Sequence, residues 1–131
     1  MRAQIYGVFG TLSLGMRVLA AEGVRLERML AHGGLFRTAG VAERFLAGAL
    51  AAPVAVGETA AEGGAWGIAV LAAYTVSGAE TDLSTYLAER VFADAAFRTV
   101  EPAQEDVDAF AAYLERYRAG LAVERAAVDA L

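Results

Sequence analysis

Between Glu62 and Glu80 the chain carries no charged side chain, and Ala, Gly and large apolar residues fill most of that stretch. A helix that is apolar almost all round is buried on several sides rather than laid on a surface. The helix predicted over 62–76 therefore asks for protein on more than one flank. Gly63, Gly64 and Gly67 let another backbone come close, against an intrinsic cost of about 1 kcal/mol each relative to Ala. Thr59 and Glu62 stand in the S/T-x-x-E pattern of a capping box, which marks the start of this helix. Trp66 and Tyr74 share one side of it and are expected to pack in a core.

The rest of the chain alternates helices with short apolar runs. Ile5, Val8, Phe9, Leu12, Met16 and Leu19 recur at helical spacing over 2–22, and Gly23 follows where a positive φ is commonly needed. Residues 24–31 read as a strand bounded by Gly23 and the pair Gly33-Gly34. A second helix is predicted from Thr38, whose hydroxyl would cap it, with Val41, Phe45, Leu46, Ala49 and Leu50 on its apolar face. Residues 53–56 read as the next strand, where Pro53 fits only the first position or an edge.

After the uncharged helix, Ser77-Gly78-Ala79 closes the unit, and Thr81 or Asp82 caps a helix to about Phe92. Residues 97–100 read as extended. Pro102 opens a final helix, where its missing N–H does no harm, with the stripe Val107, Phe110, Ala111, Leu114, Tyr117 and Leu121. The order α-β-α-β-α followed by further helices predicts an α/β layer with partly parallel pairing. Two good strands are too few for a sheet with this many helices, so further strands are expected upstream of Met1.

Composition excludes several classes. A net charge of −5 argues against non-specific nucleic-acid binding, which needs clustered positive charge. All 11 basic residues are Arg, and there is no Cys to supply a disulfide, a thiolate nucleophile or a thiolate metal site, which points to the cytosol. The N-terminus faintly mimics a signal peptide, but Gln4, Tyr6 and Arg17 interrupt it. The uncharged run over 3–16 also falls short of the roughly 18 residues of a membrane span, so no membrane partner is expected.

The candidate ligand turn is His32-Gly33-Gly34-Leu35-Phe36, between a strand and a helix. Two residues without Cβ let the backbone approach a planar or anionic ligand, and the helix beyond offers N–H groups. A tight turn that binds nothing is the alternative, because Gly pairs are common in turns. Neither a P-loop nor a dinucleotide fingerprint occurs. Glu58 lies at the C-terminal edge of a strand, where α/β ligands sit. His32 is the only histidine, so no His pair can hold zinc, and it reads as a turn or core residue. Glu101, Glu105, Asp106 and Asp108 read as a solvated structural cluster that favours a helix N-terminus.

Taken in order, His32-Gly33-Gly34-Leu35-Phe36, Val41-x-x-Arg44-Phe45-Leu46-x-x-Ala49-Leu50, Pro53-Val54-x-Val56 and Glu62-Gly63-Gly64-Ala65-Trp66-Gly67-Ile68-Ala69 resemble the C-terminal domain of FGGY-family carbohydrate kinases. The tail Tyr117-Arg118-Ala119-Gly120-Leu121-x-x-Glu124-Arg125-Ala126 is similar to the ending of ribulokinase- and xylulokinase-like members. The resemblance covers nearly all of residues 1–131. It implies a partial ribonuclease-H-like domain of an actin-like ATPase fold, with ATP and Mg2+ held between two domains. It places Gly33 and Gly34 against adenosine, with Leu35 and Phe36 giving apolar surface and Thr38 near the polar residue that opens the next helix.

The family's Asp-x-Gly-Thr turn, sugar pocket and catalytic Asp have no counterpart here. The polypeptide alone is therefore expected to be inactive in phosphoryl transfer, which needs ATP, metal and acceptor positioned together. A ketopentose such as ribulose or xylulose is the implied acceptor, reached through the other domain. Two other readings stand beside this one: a free-standing nucleotide- or partner-binding module, and a structural α/β domain. The first and last helices are left to meet either the other domain or a second copy in a homo-oligomer.

Overall fold

The structure is a computed structural model, and it describes residues 2–77 and 81–130. The first helix, α1 (Arg2–Ala21), ends as its spacing predicts, and Gly23 turns the chain with φ 80°. The strand predicted over 24–31 shortens to β1 (Met29–Leu30), with residues 24–28 outside any strand. Arg25, Glu27 and Arg28 interrupt the apolar residues there, and the neighbouring strand pairs only with Met29 and Leu30.

That neighbour, β2 (Val54–Gly57), is the middle of a three-stranded sheet of order β1-β2-β3. β1 runs parallel to it, pairing Met29 with Val54 and Leu30 with Ala55. β3 (Phe97–Val100) runs antiparallel, pairing Val56 with Arg98 and Gly57 with Phe97. The mixed sheet matches the expected partly parallel pairing, and β3 supplies the third strand from the downstream side. Val54, Ala55 and Val56 are all buried, so β2 reads as a continuous apolar run rather than an alternating one.

Between β1 and β2 lies α2 (Ala42–Leu50), the hub of the core. Its Leu46 and Ala47 pack with Tyr6 and Phe9 of α1 and with Phe110 and Leu114 of α5 (Gln104–Asp129). Tyr6 meets Phe45 and Phe110 edge-on, at centroid distances of 5.6 and 5.1 Å, the geometry aromatic quadrupoles favour. α2 and α5 cross closely at Gly48, where an added Cβ would stand 2.8 Å from Asp106 Cβ.

The expected Thr38 cap is not formed. Residues Gly34–Arg37 make a 3-10 turn that ends at Thr38 in an extended conformation, and Gly40, at φ 80°, delays the helix to Ala42. Glu43 takes over the stabilisation of that helix end, with its carboxylate near the backbone N–H groups of Gly40 and Glu43 itself. α2 then ends in a left-handed Ala51 just ahead of Pro53, which begins no helix.

The capping box is not formed either. Ala60–Glu62 is a 3-10 turn without a side-chain cap, because Glu62 pairs with Arg37 instead of returning to Thr59. The helix that follows, α3 (Gly63–Val76), corrects the expectation of burial on several sides: none of its residues is buried, and Ile68 and Val76 are 69% and 87% exposed. Its contacts include two ring pairs, Trp66 on Phe92 at 5.5 Å and Tyr74 on Tyr86 at 5.2 Å, and a bond from the Tyr74 hydroxyl to the Thr81 carbonyl at 3.0 Å.

The turn expected at Ser77-Gly78-Ala79 falls on Gly78 and Ala79, outside the described residues. Asp82 caps α4 (Leu83–Tyr86), as expected, accepting from the Thr85 N–H at 3.1 Å. The Thr85 hydroxyl and N–H hold the Asp82 carboxyl below its ordinary value. A π turn, Leu87–Val91, continues α4 towards Phe92. Pro102 precedes the last helix by two positions rather than opening it, and Ala103 stands at the cap.

Asp106 departs from the solvated reading of its cluster. It is buried, and Arg44 Nε donates to its Oδ2 at 2.5 Å while Arg44 Nη2 reaches Glu105 at 2.7 Å. The bond and charge of Asp106 hold the Arg44 guanidinium above its ordinary value. Among the described residues, no helix is long and apolar enough to cross a membrane.

Candidate functional site

At the carboxyl end of β2 the structure forms a cleft of about 470 Å³, with Phe36 and Arg37 on one side, Gly57 and Glu58 at its base, and Phe97 and Arg98 on the other. This is the place in an α/β layer where ligands gather, because the turns that follow parallel strands converge there. Its size falls within the roughly 300–1,000 Å³ range of small-molecule sites.

The Gly33-Gly34 turn abuts the cleft. Gly33 adopts φ 109° and ψ 168°, a conformation open to glycine and strained for other residues. Its N–H donates to the Ala60 carbonyl at 2.6 Å, which staples the turn to the 3-10 segment lining the cleft. Its carbonyl accepts from the Phe36 N–H at 3.0 Å, which closes the turn. Gly34 differs: its φ is not positive, and no neighbouring atom lies within 4 Å of where its Cβ would be. Glycine at 33 is explained by backbone geometry, and glycine at 34 leaves an open surface.

The other expected residues divide. Phe36 lines the cleft and packs its inner edge on the core. Leu35 is exposed beside the turn, and Thr38 lies beyond it; neither lines the cleft. Glu58 is exposed at the cleft floor. His32 is exposed and lies beside the backbone of Gly63, where an added Cβ would come within 2.9 Å of the His32 Cβ, so it is a turn residue rather than a core one.

Three lining residues, Arg37, Phe97 and Arg98, carried no functional signal in the sequence. The extended reading of 97–100 gave no hint of it, since alternation puts the neighbours Phe97 and Arg98 on opposite faces of the strand, and both reach the cleft because it lies at the strand's end. Behind Arg98 stands Glu43, which is fully buried, its Oε1 bonded to Arg98 Nη2 and its Oε2 without a hydrogen-bond partner. Burial pushes the Glu43 carboxyl up, but the backbone N–H groups of Glu43 and Gly40 and the Arg98 guanidinium outweigh it and leave it below its ordinary value. Among the described residues, no group of three or more His, Asp or Glu side chains stands together to hold a metal ion.

Residues 1–76 match the model of the FGGY family of carbohydrate kinases, C-terminal domain. The chain belongs to that family. No curated protein and no solved structure matches it. The FGGY stretch runs from α1 to the end of α3, so it contains the Gly33-Gly34 turn, β2 and one wall of the cleft. The opposite wall, Phe97 and Arg98, comes from outside the FGGY match.

Proposed function

We propose that this chain forms the adenosine side of the nucleotide cleft in an ATP-dependent carbohydrate kinase, a phosphotransferase acting on a sugar hydroxyl. In this reading the α/β layer is part of a ribonuclease-H-like domain of the actin-like ATPase fold. Gly33 and Gly34 lie against the adenosine, with Phe36 as apolar wall. A ketopentose such as ribulose or xylulose is the acceptor, on the strength of the tail from Tyr117 to Ala126, and the cytosol is the place of action. ATP fits the open face of the turn.

The observation that carries this reading is the contrast between the two glycines. Both have open space beside them, but Gly33 is required by its φ of 109°, whereas Gly34 is required by nothing in the chain. A turn that merely reversed the chain would have no use for the second glycine. A surface that a ligand's flat face must approach closely would.

Thermal melting with added ADP tests this. A ligand at one hundred times its dissociation constant stabilises the fold by about 2.7 kcal/mol, which is a readable rise in melting temperature. Gly34→Val is expected to leave the unliganded melting temperature near the wild-type value, since an added Cβ meets no neighbouring atom and the φ is not positive. The variant is expected to lose the ADP response. Equal ADP shifts in both proteins would rule out the turn as the nucleotide surface.

A further inference from the structure

We propose that β3, outside the family-matched stretch, completes the nucleoside site: Phe97 offers a face to the base, Arg98 donates hydrogen bonds to it, and buried Glu43 positions Arg98. This rests on the adenosine reading above and extends it to residues that reading does not include.

The arrangement follows from the strand register. Pairing of Gly57 with Phe97 sets the Phe97 ring against the glycine, where an added Cβ would lie 3.4 Å from ring atom Cε1. The missing side chain at 57 thus lets the ring settle beside the strand while it stays 41% exposed to the cleft. Phe36 lines the same cleft from the glycine turn. Two aromatic walls suit a planar ligand, since every base has a π-face to stack.

The next residue along β3 adds polarity. Arg98 is half-exposed, and one of its nitrogens is committed to Glu43. A guanidinium has five N–H donors, so that single bond leaves others for a ligand. Glu43 is fully buried and kept ionised, which gives the guanidinium a fixed anchor from behind.

The charges nearby decide which part of a nucleotide sits here. Arg37 and Arg98 are balanced by their own partners, Glu62 and Glu43, and Glu58 adds a further negative charge at the floor. A polyphosphate gains little from such a balance. A base and ribose, neutral and rich in donors and acceptors, fit it, with the phosphates directed elsewhere.

Calorimetric titration of the 131-residue chain tests the assignment with adenosine, ADP and inorganic phosphate as probes. Adenosine and ADP are expected to bind with similar affinity, and inorganic phosphate not at all. Phe97→Leu removes the stacking face without touching the ion pair and is expected to weaken adenosine about tenfold. Arg98→Lys keeps a positive partner for Glu43 but loses the planar fork, and is expected to weaken adenosine by a similar factor of about ten.

Glu43→Gln is expected to weaken adenosine non-additively with Arg98→Lys and additively with Phe97→Leu, a pattern that a general loss of packing would not give. Photolabelling of the wild-type chain with azidoadenosine reads the same site without any variant, and is expected to mark the peptide containing Phe97 and Arg98. Wild-type affinity in the Phe97 and Arg98 variants, or label confined to other peptides, overturns the role of β3 while leaving the glycine turn as a nucleotide surface. No binding of adenosine or ADP by the wild-type chain overturns both.

Discussion

Gly48→Val is expected to destabilise the chain by about 3 kcal/mol, because overpacking at a close helix crossing forces the backbones apart. A Cβ at 48 would stand 2.8 Å from Asp106 Cβ, 3.1 Å from its carbonyl carbon and 3.2 Å from its carbonyl oxygen. Two of those three atoms are backbone, so no rotamer change relieves the clash. Asp106 is also held in place by Arg44, through contacts of 2.5 Å to Oδ2 and 3.2 Å to Oδ1. α5 would have to move as a body, and the packing of Phe110 and Leu114 on α2 would loosen with it. The intrinsic helix penalty of glycine, about 1 kcal/mol against Ala, works in the opposite direction and is smaller than the clash. Urea denaturation followed by circular dichroism measures the difference. Wild-type stability in the valine variant would mean that α2 and α5 do not cross as closely as described.

Arg98→Ala is expected to cost about 3 kcal/mol at neutral pH, the low end for breaking a buried pair, since Arg98 is half-exposed and partly screened. Most of that cost belongs to Glu43, left as a buried carboxylate without its counter-charge. The pH dependence identifies the cause. In the wild type the Glu43 carboxyl is held below its ordinary value of 4.5, so its contribution to stability is present above that value. The contribution is lost as pH falls through the lowered one.

Without Arg98, burial has no guanidinium to oppose it and the carboxyl rises. Protonation then relieves the variant in mild acid. The stability gap between the two proteins is therefore expected to narrow as pH falls from 7 towards 5. Glu43→Gln, added to Arg98→Ala, is expected to recover much of the loss at neutral pH. A gap that stayed constant with pH would mean that the cost is lost packing along the Arg98 stem rather than a stranded charge.

The parts of this fold that could be read in the sequence are those governed by local periodicity. The span of α1, the apolar face of α2, the run Val54 to Val56 and the stripe containing Phe110 and Leu114 stand where spacing puts them, because side chains three and four apart share a helix face. The face of α1 does not: Tyr6, Phe9 and Ser13 are buried, while Val8, Leu12 and Leu19 are exposed. The family resemblance could also be read, since it depends on the order of short motifs along the chain. The misreadings came from competition between partners. Glu62 had two options, the Thr59 backbone and Arg37, and a charge-assisted bond to Arg37 won. Thr38 lost the cap because Gly40 turned the chain after it. Asp106 looked solvated among other acids until Arg44, 62 residues away, took it into the interface. Glu43 and Arg98, 55 residues apart, form a contact that no local pattern can announce. The candidate cleft divides along the same line: its glycine turn is a local motif, and its second wall depends on the pairing of β2 with β3.

The pairing of Val54–Gly57 with Phe97–Val100 also bears on where this chain could be cut. A family match that stops at Val76 invites the view of a self-sufficient module carrying an appendage. The physical joints say otherwise. Cleavage there would bare one whole edge of the central strand, strip Phe110 and Leu114 from the hub helix, and leave Glu43 without the Arg98 guanidinium. The matched stretch and the residues that follow it are thus co-owners of a single core, and neither is dispensable to the other's shape. The family match ends at Val76, but the sheet and the core run past it.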